Sequence, residues 1–173
     1  MTTSAQVAQQ GSATTSATAQ PPEIWWTAES LRKAFDAINA ELGPATADYL
    51  EVKISALRRT MFIAAVDPNA PTTVEEYVYN GDDGSVEPGT ETKNDFHLDG
   101  GFTGDSVSAQ VLAKAMNSAR ADTGWADARL TNVMFMRVHP TDPQPGIAVV
   151  VNQNNRDKTA YYDMNAALLK VYP

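Results

Sequence analysis

The chain contains no cysteine. This excludes disulfides, thiol catalysis and cysteine-based zinc sites, and it fits a reducing cytosol as well as an exported protein whose core needs no staples. Histidine is nearly absent too, with only His97 and His139. Long apolar runs are missing: those present, such as residues 147–151, are strand-sized, so no transmembrane segment is expected. Positive charge is scarce, with 13 Lys and Arg against 21 Asp and Glu and a formal net charge of −8. The densest basic spot is Arg58-Arg59, read as a solvated strand end. Such a chain repels a phosphate backbone, and no nucleic-acid partner is expected.

What is present suffices for one ordinary domain or two half-size units sharing a core, since 43 % of the 173 residues are apolar. Residues 2–20 form a Ser/Thr/Ala/Gln tract that ends at Pro21-Pro22 and holds Val7 as its one large apolar residue besides none aromatic. A segment of this kind has little to bury, so residues 1–26 are expected to be a flexible tail. It lacks the basic and apolar stretches of a signal peptide. It reads either as the native start of a cytosolic protein or as the spacer of an exported protein whose signal has been replaced by Met1. The second is preferred, giving a periplasmic or secreted location, with a cytoplasmic one as the alternative.

An offset of 81 positions lays the chain on itself. Residues 31–43 fall on 112–124 with Leu31/Leu112, Lys33/Lys114, Ala34/Ala115, Ala40/Ala121 and Gly43/Gly124 identical, and the same offset aligns Val52 with Val133 and Ile54 with Phe135. Internal repeats take precedence in fold reasoning. In the first copy, Leu31, Phe35, Ile38 and Leu42 recur at helical spacing, with Thr27 or Ser30 as cap and Gly43-Pro44 as stop. In the second copy, the helix carries Val111, Leu112, Ala115, Met116 and Ala119 between Ser106 or Ser108 and Gly124.

Strand patterns follow each helix. Residues 49–57 alternate, with Leu50, Val52, Ile54 and Ala56 on one face and Glu51, Lys53 and Ser55 on the other. Residues 60–66 and 74–80 make two further strands, then 129–138, 147–152 and 159–164 in the second copy, with 168–172 as a last short strand. The expected fold is α+β: two helix-plus-three-strand antiparallel repeats, 27–90 and 107–173, joined by a linker at 91–106, with both helices on one face of a shared sheet.

Two aromatic hairpin stretches, 77–86 and 161–171, sit at the end of a helix-then-meander order. On these residues the chain resembles the PepSY-like family, and the tandem arrangement is similar in architecture to the beta-lactamase inhibitory proteins. The second hairpin has Asn165-Ala166-Ala167 where that pattern has a glycine turn, and the cysteines of those inhibitors are missing. The resemblance implies an extracytoplasmic protein-binding or inhibitory module, not an enzyme.

Residues for chemistry are few. His97 stands among Asp95, Asp99 and Asn94, a setting that suits a shared cation or a raised pKa but also a solvated linker histidine. A small hydrolase or a ligand- or metal-binding protein with a site near His97 is the alternative reading. Residues 80–91 place Asn80, Asp82 and Glu91 at calcium-loop spacing, yet Ser85 stands where that loop needs glycine, and Asn-Gly and Asp-Gly explain the segment as a hairpin turn. No catalytic residue, metal site or cofactor is expected. The candidate surface is apolar. Met134 and Met136 stand at the outer-face positions that Lys53 and Ser55 hold in the first copy, and methionine adapts to varied contact shapes. Tyr161, Tyr162, Trp25 and Trp26 complete the candidate binding surface as aromatic anchors. The expected partner is another protein or a second copy of the chain.

Overall fold

In the computed structural model, which describes residues 23–43, 48–67, 69–89, 92–93, 101–137 and 144–173, helices form where the apolar stripes lie. Helix α1 (Ala28–Leu42) starts at a capping box: the Thr27 side chain accepts from the Ser30 backbone, and the Ser30 hydroxyl accepts from Thr27 N–H at 2.8 Å. These contacts satisfy donors that a helix start leaves orphaned. Gly43, at φ 90°, ends it with its N–H on the Asn39 carbonyl. Leu31, Ala34, Phe35, Ile38 and Leu42 are buried along one side. Helix α2 (Ala109–Asp122) is capped by Ser108 and buries Leu112, Ala113, Ala115, Met116 and Ala119.

The strands are β1 (Asp48–Ser55), β2 (Thr60–Asp67), β3 (Ala70–Asn80), β4 (Val86–Pro88), β5 (Thr92–Lys93), β6 (Phe102–Thr103), β7 (Arg129–Met136), β8 (Gly146–Gln153), β9 (Arg156–Tyr162) and β10 (Leu168–Tyr172). They do not build the expected pair of helix-plus-three-strand repeats. One sheet of ten strands runs in the order β10-β9-β8-β7-β1-β2-β3-β4, with β5 beside β3 and β6 beside β1, and every pairing is antiparallel. Each helix is followed along that path by four strands, not three. The fourth strands are Val86–Pro88, which satisfies the free side of β3, and Leu168–Tyr172, which does the same for β9. The two halves share the sheet, as expected, at the β1–β7 seam. There two strands that would otherwise be edges pair through Glu51↔Met136, Val52↔Phe135, Lys53↔Met134, Ile54↔Val133 and Ser55↔Asn132. Their backbone groups satisfy one another, and neither half keeps a sheet of its own.

A single core lies between the sheet and the two helices, which touch each other. Val52, Ile54, Met61, Ile63, Val133, Phe135, Ile147 and Val149 meet the helical stripes there. A register shift between Tyr49 and Glu51 breaks the simple alternation of β1. Tyr49 is buried in consequence, while Leu50 is half-buried. Such a bulge re-aims side chains. The segment between the halves also feeds the core: Phe102 on β6 stacks edge-on against Phe135 at 4.9 Å and against Tyr49 at 6.2 Å. Ahead of α1, Ile24, Trp25 and Trp26 pack on the same core. Gly81 is required by close approach, since a Cβ there would lie 2.5 Å from the Trp25 ring and 2.6 Å from the Arg59 carbonyl.

Candidate functional site

With both helices on one face, the two faces of the sheet differ in character. Strand side chains alternate faces, so the pairing register fixes which residues share the outer one. One row crosses seven strands there: Val78, Phe62, Lys53, Met134, Ala148, Tyr161 and Lys170 stand directly opposite one another in sequence of strands β3-β2-β1-β7-β8-β9-β10. At about 4.8 Å per step, six steps span roughly 29 Å. The neighbouring row reads Asn80, Thr60, Ser55, Asn132, Val150, Thr159 and Tyr172, largely polar. On the other side lie Glu76, Ala64, Glu51, Met136 and Gly146. The outer face therefore carries an apolar band with polar margins.

At the centre of the band is a shallow groove of about 370 Å³ that Lys53, Phe62, Met134 and Val150 border, with Ser55, Thr60 and Asn132 at its polar side. Lys53 is held rather than free to swing. Its ammonium lies 2.6 Å from Glu51 Oε2 and 5.5 Å from the centre of the Phe62 ring. At the far end, Tyr161 and Tyr172 meet edge to face at 5.3 Å, and the Lys170 ammonium lies 4.5 Å from the Tyr172 ring centre. Cations on ring faces gain from the ring quadrupole without leaving water. Lysine stems also cover apolar surface while keeping the charge solvated.

Of the candidate surface residues, Met134, Met136 and Tyr161 share this face and are half-buried. Tyr162 does not. It pairs with Ile147, faces the helices and is 1 % exposed. Its hydroxyl donates to Asp122 Oδ2 at 2.8 Å, and burial together with that carboxylate pushes its pKa up. Trp26 is likewise core rather than surface, at 1 % exposed, with its indole N–H donated to the Ser55 carbonyl. Trp25 is half-buried, meets Trp26 edge-on at 4.7 Å, and has the Arg59 guanidinium 5.6 Å from its ring centre. It stands apart from the methionines, beside the turn that joins β1 to β2.

Phe62 and Lys53 belong to the band, and Tyr172 to the row beside it, although the candidate surface did not include them. Residues 61–66 are a continuous apolar run, so no alternation marks Phe62; only its pairing with Lys53 on β1 sets it out of phase with the buried Met61 and Ile63. His97 and His139, and with them the alternative site near His97, lie outside the described residues. As far as it is described, the 80–91 segment is a turn that leads into the short strand β4. The Asn80 side chain accepts from Asp82 N–H, and Asp83 accepts from both N–H and hydroxyl of Ser85, which lowers the Asp83 pKa. Asp82 pairs with Arg59 at 3.1 Å. Among the described residues no group of three or more His, Cys, Asp or Glu is placed to hold a metal ion, and no helix is long and apolar enough to cross a membrane. Comparison with protein-family models, with curated proteins and with solved structures gave no match to this chain.

Proposed function

We propose that the chain is a non-enzymatic protein-binding module, of inhibitory or scaffolding type, that contacts its partner through the outer face of the sheet. The observation that carries this reading is the band of Val78, Phe62, Met134, Ala148 and Tyr161, set on the face opposite both helices. An apolar patch with a polar rim is the common anatomy of a contact surface. A band roughly 29 Å long with a shallow central groove suits a partner's apolar side chains better than an enclosed small molecule, which needs a site that buries most of its surface. A second copy is the less favoured occupant, because it would bring another net charge of −8 against the first. The periplasmic or secreted setting belongs to the same proposal. It is supported by the Ser/Thr/Ala/Gln tract and by the PepSY-like resemblance.

The test is a pull-down from envelope and cytosol fractions with three baits: the wild type, Phe62→Thr/Met134→Thr, and Arg156→Ala as a control away from the band. Threonine keeps strand propensity, so circular dichroism should be unchanged in all three. A partner held by the wild type and the control but lost by the double variant supports the reading. A partner held equally by all three, or self-association as the sole activity of the band, contradicts it.

A further inference from the structure

If the outer face meets a protein, as proposed, the chemistry of its central groove decides which side chain of that protein enters. Phe62 and Met134 form an apolar side, which Val150 closes at the β8 end. Two positions along the strands from Phe62 and Met134 stand Thr60 and Asn132, with Ser55 between them on β1. Two residues of extended strand rise about 6.8 Å, so an apolar row and a polar row border the groove in parallel. The volume of about 370 Å³ lies at the low end of ligand-sized pockets, which run from about 300 to 1,000 Å³. It has room for one large side chain.

The groove carries no net charge. Among the described residues Lys53 is the one ionised side chain that borders it, and Glu51 Oε2 takes that ammonium at 2.6 Å. A charged side chain entering here would lose water and find no counter-ion of its own. The polar row, in contrast, has hydrogen-bonding capacity to spare. Ser55 Oγ accepts from Arg58 N–H at 3.3 Å and keeps its own O–H to donate. Among the described residues no hydrogen bond engages the Thr60 hydroxyl or the Asn132 amide. Water serves these groups while the face is open. An aliphatic or phenylalanine side chain laid over them would displace that water and return nothing, which leaves covered polar groups unpaired. Tyrosine and tryptophan answer both rows. Their rings pack on Phe62 and on the Met134 thioether, and their O–H or indole N–H reaches the polar row.

We infer that the groove between Phe62, Met134 and Asn132 takes a tyrosine or tryptophan side chain of the partner as its anchor. An amphipathic ring in a central groove, with a band of near-neutral contacts around it, is the usual arrangement of a binding hot spot. Met134 reports on it directly, because its methyl group borders the groove.

Label the methionine methyl groups of the full chain and follow the Met134 resonance by NMR, assigned with Met134→Leu. Titrate with four neutral probes: the N-acetyl amides of tyrosine, tryptophan, phenylalanine and leucine. Met61 and Met116, both 0 % exposed in the core, serve as the internal reference. The tyrosine or tryptophan amide should shift the Met134 resonance saturably. It should bind roughly threefold or more tightly than the phenylalanine amide, as one net hydrogen bond allows. Thr60→Val/Asn132→Ala should erase that preference and leave binding of the phenylalanine amide in place. Absence of any saturable shift with the tyrosine and tryptophan amides overturns the inference. So does equal or tighter binding of the phenylalanine or leucine amide, or a preference that survives in the double variant. The pull-down tests the face separately. A partner lost by Phe62→Thr/Met134→Thr, with no such preference in the titration, keeps the face and removes its anchor; no partner at all removes both.

Discussion

Lys53 stands in the middle of the apolar band, opposite Phe62 on one side and Met134 on the other. Its pairing with Glu51 is half-exposed, and exposed ion pairs contribute only about 0–1 kcal/mol. Stability is therefore a poor explanation for a charge in this place. A lysine within an otherwise apolar surface works against unwanted association. Lys53→Met should leave the melting temperature within about two degrees, since surface changes that remove no packing shift stability little. The same variant should self-associate in sedimentation velocity at concentrations where the wild type sediments as one species. A wild-type sedimentation profile for Lys53→Met would mean that the band is too small or too interrupted to bind anything. A different residue-scale prediction concerns Tyr49. Burial, with a smaller contribution from the Asp105 charge, raises its pKa to about 12 from 10.0, against a lowering contact with Asn39. The fold thus favours the neutral phenol. That contribution is complete below pH 10 and is lost as pH rises through about 12, because the unfolded chain ionises first. Burial also raises Tyr77 and Tyr162, so they act in the same direction. Tyr49→Phe, which removes one of the three groups, should show a shallower loss of circular dichroism between pH 10 and 12 than the wild type. An equal or steeper loss would place the alkaline sensitivity elsewhere.

At the scale of elements, the helices were the most legible part. Their stripes, caps and glycine stops are local features, and Phe35 and Met116 are buried on the helix faces where the spacing puts them. Replacing either by Ala should cost about 2–5 kcal/mol, as core truncations do, and the denaturant midpoint of each variant measures it. A neutral result at Phe35 or Met116 would contradict the single core beneath the sheet. The strands were legible as strands but not in their facing. Tyr161 and Tyr162 are adjacent and must point to opposite faces. Only the register with β8, which sets Tyr162 against Ile147, decides that Tyr162 goes inward. Trp25 and Trp26 pose the same problem, settled by the Ser55 carbonyl that accepts from Trp26. The bulge at Leu50 shifts the phase of β1, which no period-2 pattern announces. β4 to β6 have two or three residues each, too few to carry any periodicity, and so Phe102 was taken for linker although it is core. Arg58 and Arg59, read as a solvated strand end, are both exposed where β1 turns into β2.

For the whole molecule, the seam between β1 and β7 decides the architecture. It joins what would otherwise be two smaller sheets and lets the outer-face band run from β3 towards β10, with Lys53 in its middle. The two ends of the strand path are poor templates for further pairing. β4 is three residues long and contains Glu87 and Pro88, while β10 has a register shift between Leu168 and Lys170 and presents a lysine. Short, bulged, charged and proline-bearing edges resist strand addition. Binding is proposed on the face and not at these edges. Site-specific photocrosslinking tests this most directly. A photoreactive phenylalanine analogue replaces Met134 in one sample and Asn154, at the β8–β9 hairpin tip, in another, each expressed in the source cells. The account predicts one adduct of defined mass, with a protein other than this chain, from position 134 and none from position 154. Absence of any adduct from position 134, an adduct only with a second copy, or the same adduct from both positions would contradict it.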